Sequence, residues 1–406
     1  MNFLQNISIS DYDYNLPEEK IAKFPLAQRD KSKLVIFRNN QISESVFQNI
    51  TDFLSEESLL VFNETKVVQA RLNFYKETGS KIEIFCIEPF FPTEIQLAFQ
   101  QKKSVVWKCM IGNLKKWKSG ELAINFELDG KFLQLKAKKK EVLENALLIE
   151  FFWQPEDLTF AEILDLLGVV PLPPYLKRQA IDSDKERYQT VFAKNNGSVA
   201  APTAGLHFTE NVFKSFEKKN IKTDFITLHV SAGTFKPVST PTIKEHQMHT
   251  EHIAFSKDNI MNLLENLHGN IIPVGTTSMR TLESVYWFGV DLITKGFNSN
   301  FEIKQWQAYE NNYGSEISAS DSLGHVLKFM THHNLELLTG TTQLIIVPGY
   351  KFRIAKGLLT NFHMPKSTLL LLVAALIGDS WKNVYDYCLK NNFRFLSYGD
   401  SCLFFA

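Results

Sequence analysis

Short apolar runs closed by polar residues open the chain: 34–37 and 58–62 predict buried strands, with a short helix around 46–54 between them. From about 72 to 152 the texture changes. Strand-like pieces at 81–87, 105–111, 121–126, 132–137 and 146–151 alternate with polar or glycine-containing turns, which predicts a small antiparallel barrel or sheet inserted into the first domain. After Phe160 helices and short apolar strands alternate, with strands expected at 221–229, 270–275 and 342–347 and a helix at 211–219 whose N-cap is Thr209. The stretch 288–340 is polar and weakly periodic apart from a helix at 323–332, and reads as an insertion. The longest apolar run, 367–378, is too short to cross a bilayer and predicts a buried helix.

Composition adds bounds rather than a function. The chain has 406 residues, 44% hydrophobic and 22% charged, enough for a full core and roughly two to three domains. Lys and Arg (44) balance Asp and Glu (44), so contact with nucleic acid would have to rest on a local basic patch. Cys86, Cys109, Cys388 and Cys402 are far apart, which indicates neither a zinc site nor a disulfide framework and fits a reducing, cytoplasmic setting. The N-terminus has no basic segment followed by an apolar core, so no secretory signal is expected. Dinucleotide, Walker, nucleophile-elbow and H-E-x-x-H patterns do not occur.

Polar segments punctuated by Gly and Pro, placed after predicted strands, are the candidate sites. In Phe62-Asn63-Glu64-Thr65-Lys66-Val67, Asn63 and Thr65 would gather an amide and a hydroxyl at a strand end, the alternative being a plain turn. Pro171-Leu172-Pro173-Pro174 stiffens a loop that runs into Tyr175-Leu176-Lys177-Arg178 and on to Arg187-Tyr188-Gln189-Thr190. Lys177, Arg178 and Tyr188 there could grip phosphates or stack on a base, against a solvated charged loop. The small-residue block 199–209 carries Thr203 and His207, and 228–235 carries His229. Either imidazole could exchange protons or serve as a hydrogen-bonded structural residue. In 274–283 a strand leads into a helix start where backbone N–H groups, Thr277 and Arg280 could hold a carboxylate or phosphate. Capping by Thr277 or Ser278 is the alternative. His363 and Lys366 precede the buried Leu-rich helix, and Asp400 ends the segment 395–400. The histidines at 246, 249 and 252 would suit a metal only on a helical face, and the entry to a strand at 251–255 speaks against it.

In this order the blocks 12–17, 25–30, 60–72, 171–178, 200–209, 275–284 and 361–371 resemble the S-adenosylmethionine:tRNA ribosyltransferase-isomerase family of queuosine biosynthesis. The resemblance implies an α/β fold in which a discontinuous α/β domain, 1–71 and 153–406 with 288–340 inserted, is interrupted by a small antiparallel β-barrel domain at 72–152. It implies transfer and isomerisation of the ribosyl moiety of S-adenosylmethionine onto 7-aminomethyl-7-deazaguanine at the wobble position of tRNA, giving epoxyqueuosine-tRNA, adenine and methionine. S-adenosylmethionine is then a consumed co-substrate, with tRNA as partner and with no cofactor, metal or membrane involved; oligomeric state stays open.

Chemistry of this kind needs a base beside the sulfonium, a donor that helps adenine leave and a polar pocket for the methionine end. The expected catalytic set is His207, His229, Thr203 and Asp400. The expected substrate-binding set is Asn63, Thr65, Lys177, Arg178, Tyr188, Thr277, Arg280, Glu283, His363 and Lys366, with Asp400 or Glu283 facing ribose hydroxyls or the sulfonium. The chain departs from the family pattern at Ser231, Glu64 and His252. A paralogue with another nucleoside or nucleic-acid acceptor, and a non-catalytic tRNA-binding protein, are the competing functions.

Overall fold

The structure, a computed structural model, describes residues 7–128, 130–143, 146–230, 238, 240–310 and 316–406. Its central sheet has six strands in the order Asn270–Pro273, Ser58–Asn63, Lys222–His229, Glu251–Ser256, Leu337–Thr342, Glu302–Ile303. The first three run parallel, while Glu251–Ser256 is antiparallel to both of its neighbours. Ser58–Asn63 is buried at every position. That is why its sequence is a continuous apolar run rather than an alternating one. A second sheet, Gly357–Asn361, Ser401–Phe405, Lys33–Arg38, Gln41–Val46, brings the C-terminal strand alongside one from the start of the chain. The two sheets meet at a bridge between Val274 and Leu359 and at the Gly275 N–H, which donates to the Leu359 carbonyl at 2.7 Å.

The helix Thr276–Lys295 is buried at nearly every position from Thr276 to Leu292, as expected of a helix packed on all sides. Helix Ala319–His332 crosses it at Gly289, where an added Cβ would lie 2.1 Å from the Ser322 hydroxyl and 2.4 Å from the Ser322 carbonyl oxygen. Gly289→Ala should therefore lower stability by about 1–3 kcal/mol through overpacking. Gly324→Ala, with nothing within 4 Å of its added Cβ, should instead gain roughly 0.5–1 kcal/mol of helix propensity. Urea titration of the two variants reads the difference, and equal destabilisation would contradict the close crossing.

Residues between 71 and 169 build an antiparallel sheet of seven strands, ordered Gly168–Val169, Arg71–Tyr75, Lys81–Phe91, Ser104–Gly112, Leu147–Gln154, Lys131–Val142, Leu122–Leu128. It curls around its own apolar cluster, which includes Trp107, Leu135, Phe151, Trp153 and Phe160. Helix Phe160–Leu167 closes one side and starts with a capping box between Thr159 and Glu162. All five strands expected between 81 and 151 are present, as are the helix Glu210–Lys218 capped by Thr209 and the buried helix Thr368–Ile377. Among the described residues no helix is long and apolar enough to cross a membrane.

Two expectations fail. The segment 343–347 is not a strand: the ladder ends at Thr342, although Leu344, Ile345, Ile346 and Val347 are all buried. Its polar backbone is satisfied elsewhere, with Gln343 N–H donating to the Ile303 carbonyl at 2.9 Å, Val347 N–H to the Tyr309 hydroxyl at 3.0 Å and Arg280 Nε to the Leu344 carbonyl at 2.9 Å. An apolar run reports burial, whatever backbone pairing it adopts. Second, 288–340 is no polar addition to the surface. It begins with the last turns of the core helix, where Phe288, Val290 and Leu292 are buried, and it supplies Ala319–His332 and most of the strand Leu337–Thr342. The short helix expected at 46–54 is present as the 3₁₀ helix Phe47–Phe53.

Candidate functional site

A cavity of about 260 Å³ opens where the two sheets meet. Residues within 174–175, 200–204, 275–277 and 360–369 line it, together with Val230, Leu396 and Ser397. At its floor Gly275 sits at φ 95, in the left-handed region that glycine adopts without steric cost. The helix Thr276–Lys295 starts there without a side-chain cap. The first backbone N–H groups of such a helix have no intrahelical partner and carry the positive end of its dipole. Thr276 and Thr277 thus present anion-binding groups to the cavity. Neither expected cap forms, and Ser278 Oγ donates back to the Val274 carbonyl at 2.8 Å.

His363 also lines the cavity. Its backbone is clamped by Tyr14, whose hydroxyl donates to the His363 carbonyl, and by Tyr385, whose hydroxyl accepts from the His363 N–H at 3.2 Å. Its Nε2 pairs with Thr360 Oγ1 at 3.0 Å, and its Nδ1 makes no hydrogen bond among the described residues. Burial pushes the imidazole down to about 3, so it is neutral at physiological pH. Beside it, Asn361 Nδ2 donates to the carbonyls of Leu396 and Ser397 at 3.0 and 3.2 Å, which turns Oδ1 the other way. Tyr175 and Ser397 share a very short hydroxyl–hydroxyl contact on the cavity wall, and burial lifts the Tyr175 phenol to about 12.

His207 is placed behind this wall rather than in it. Asn361 Oδ1 can only accept, so His207 Nε2 carries the proton and donates to it at 3.2 Å, which leaves Nδ1 to accept from the Ser32 hydroxyl at 2.8 Å. Both ring nitrogens are hydrogen-bonded inside the protein, which ties His207 to the orientation of Asn361. Burial, with the nearby charges of Arg394 and Arg29 adding to it, holds His207 down at about 4. An unfolded histidine titrates near 6.5, so as pH falls the unfolded chain takes up the proton first. The contribution of His207 is intact above pH 6.5 and is lost as pH falls toward 4. His207→Asn should flatten that acid limb of the stability curve by on the order of 3 kcal/mol. Urea midpoints of both proteins at pH 7 and pH 4.5 check it, and parallel curves would refute it.

His229 ends its strand with Nδ1 2.9 Å from Thr65 Oγ1, and its ring packs so close to Gly197 that an added Cβ there would sit 2.6 Å from it. Burial, then the charge of His252, pushes it down to about 4. His229 and Thr65 come together as a pair, outside the cavity lining. Ser231 and the rest of 231–237 lie outside the described residues.

Of the other expected site residues, Thr203 and Thr277 line the cavity with His363. The rest are engaged elsewhere. Asn63 Oδ1 accepts from the N–H groups of Thr65 and Leu228, and its Nδ2 donates to the Leu228 carbonyl. Asp400 accepts from the backbone N–H groups of Lys33 and Arg394 at 2.9 and 2.7 Å. Glu283 takes the Tyr350 hydroxyl and the N–H groups of Arg353, Ile354 and Ala355, and burial raises its carboxyl. Arg280 is ion-paired with Glu251 at 2.5 Å, both side chains being under a tenth exposed. Arg178 grips Asp184 with two guanidinium nitrogens at 2.7 Å, Tyr188 is fully buried, and Lys177 and Lys366 form exposed pairs with Glu18 and Asp13.

Asn361, Thr360, Thr276, Tyr175 and Ser397 are the cavity residues that the sequence did not single out, although every one falls inside or beside a recognised polar segment. The histidines 246 and 249 lie in irregular backbone, so their spacing of three places them on no helical face. Among the described residues no cluster of three or more His, Cys, Asp or Glu is arranged to hold a metal ion.

The family description "Queuosine biosynthesis protein" matches residues 9–404. A solved structure of S-adenosylmethionine tRNA ribosyltransferase from Thermotoga maritima is 27% identical, with 97% of this chain and 99% of that chain covered and a TM-score of 0.45.

Proposed function

The chain belongs to the queuosine biosynthesis protein family and is an enzyme, and from that premise we propose that it moves the ribosyl unit of S-adenosylmethionine onto 7-aminomethyl-7-deazaguanine at the wobble position of tRNA, with rearrangement to epoxyqueuosine and release of adenine and methionine. One observation carries the reading. The distant segments that bear the family resemblance, 171–178, 200–209, 275–284 and 361–371, converge on a single cavity.

The polar groups of that cavity suit the donor. The open N-terminus of the helix Thr276–Lys295 takes the methionine carboxylate. Thr203, Thr360, Asn361 and Ser397 offer hydroxyl and amide groups to the ribose and the adenine. His363 has a neutral imidazole whose Nδ1 is unspent, and it is the imidazole in the cavity lining that can accept the proton beside sulfur. The donor is consumed as a substrate, with no other cofactor, and the four buried free thiols suit a cytoplasmic setting. In this reading the curled sheet of 72–152 is the small inserted domain.

The test incubates the purified protein with S-adenosylmethionine and tRNA bearing the aminomethyl base, quantifies adenine and methionine, and identifies the tRNA nucleoside by mass spectrometry. Adenine and epoxyqueuosine in equal amounts are expected. Binding without turnover would favour a non-catalytic tRNA-binding protein, and turnover on another acceptor only would favour a paralogue.

A further inference from the structure

A second, much smaller cleft lies behind the cavity wall, with Ser397 in the lining of both. Arg29, Arg187 and Arg394 line it, together with Ser32 and His207. All three arginines are half-buried, and none forms an ion pair among the described residues. Their partners are backbone carbonyls: Gln189 and Glu186 for Arg29 at 2.9 and 3.1 Å, Ala27 and Leu26 for Arg187, Phe24 and Tyr398 for Arg394 at 3.3 and 2.7 Å. Arg187 Nε is buried with no partner at all.

Held by neutral carbonyls around one cleft, the charges of Arg29 and Arg187 repel one another, with the carboxylates of Glu186 and Asp400 nearby. Burial and the charge of Arg187 both disfavour the charged form of Arg29. The reciprocal straps between 26–29 and 186–189 hold the arginines in place despite that repulsion. In a chain of net charge zero, such a concentration of positive charge is a local device. Guanidinium groups match tetrahedral oxyanions through paired N–H donors.

Resting on the proposed acceptor, we propose that Arg29, Arg187 and Arg394 bind a phosphodiester of the tRNA backbone, placing the strand so that its modified base reaches the cavity. The cleft itself has room for only about 20 Å³, so the phosphodiester rests on the arginines at its mouth, and Ser397 belongs to the lining of both the cleft and the cavity.

Arg187→Gln and Arg394→Gln, which keep a donor for the carbonyls, test the assignment. Titrating labelled tRNA at several salt concentrations should show weaker binding and a log–log salt slope smaller by about 0.7–0.9 in all when the single phosphate contact is lost. Affinity for S-adenosylmethionine, measured by calorimetry, should hold. Unchanged tRNA affinity and slope would overturn the proposal, and so would loss of S-adenosylmethionine binding by a folded variant, because the cleft would then serve the donor. If the variants do not fold, phenylglyoxal modification of the wild-type protein, mapped by mass spectrometry, decides. Transfer RNA must slow modification of all three arginines, and equal rates with and without it overturn the assignment. Inorganic phosphate protecting as well as tRNA would point to a free anion and also overturn it. Adenine release by the wild-type protein, assayed alongside, separates failure of this site from failure of the proposed reaction.

Discussion

His363→Asn is expected to reduce adenine release by about 10²–10⁴-fold, the range for removing a general acid or base. The loss should fall on kcat, since asparagine can still pair with Thr360 and the clamps from Tyr14 and Tyr385 act on the backbone, which the substitution does not touch. His207→Asn, by contrast, should change turnover far less, because both nitrogens of His207 are already committed to Asn361 and Ser32. Single-turnover rates of adenine release with saturating S-adenosylmethionine compare the two. If His363→Asn stays within tenfold of wild type while His207→Asn collapses, the proton acceptor has been assigned to the wrong ring.

The second large effect is on stability. Arg280→Met should cost about 3–5 kcal/mol, because it leaves Glu251 buried without its counter-charge. Against a typical total of about 5–15 kcal/mol this is severe. Replacing both partners, Arg280→Met with Glu251→Leu, should restore much of the loss, since no isolated charge is then buried and apolar groups of similar volume fill the space. Urea denaturation of the single and double variants closes the cycle. A double variant as unstable as the single would mean that the guanidinium matters mainly through its bond to the Leu344 carbonyl. The ion pair also explains why Arg280, which by its position after a strand looks like a substrate anchor, is engaged without one.

Much of the fold is legible from local pattern. Alternation between 81 and 151 gives the antiparallel strands, because one face of a curled sheet must be apolar. Thr209 before Glu210 gives a helix start, because its hydroxyl satisfies the free N–H of Val212. Errors came where burial and backbone pairing part company. Leu344–Val347 are buried without a ladder, and the helix through Phe288 and Leu292 carries enough Thr, Asp and Lys near its end to read as polar.

By itself, the sequence determined the order of the elements, the α/β character and, through the ordered blocks, the family. It also placed His207, His229 and His363 among the chemistry-bearing segments as near equals. Only the tertiary structure separated them. The role of an imidazole depends on what its two nitrogens face, and those partners arrive from far along the chain: Ser32 and Asn361 stand 175 and 154 residues from His207. The same holds for Arg29, Arg187 and Arg394, basic residues of separate segments until the fold sets their charges around one cleft. Periodicity is written locally because helices and strands are local. A site is a meeting of distant side chains, and only the packed chain brings them within hydrogen-bonding reach.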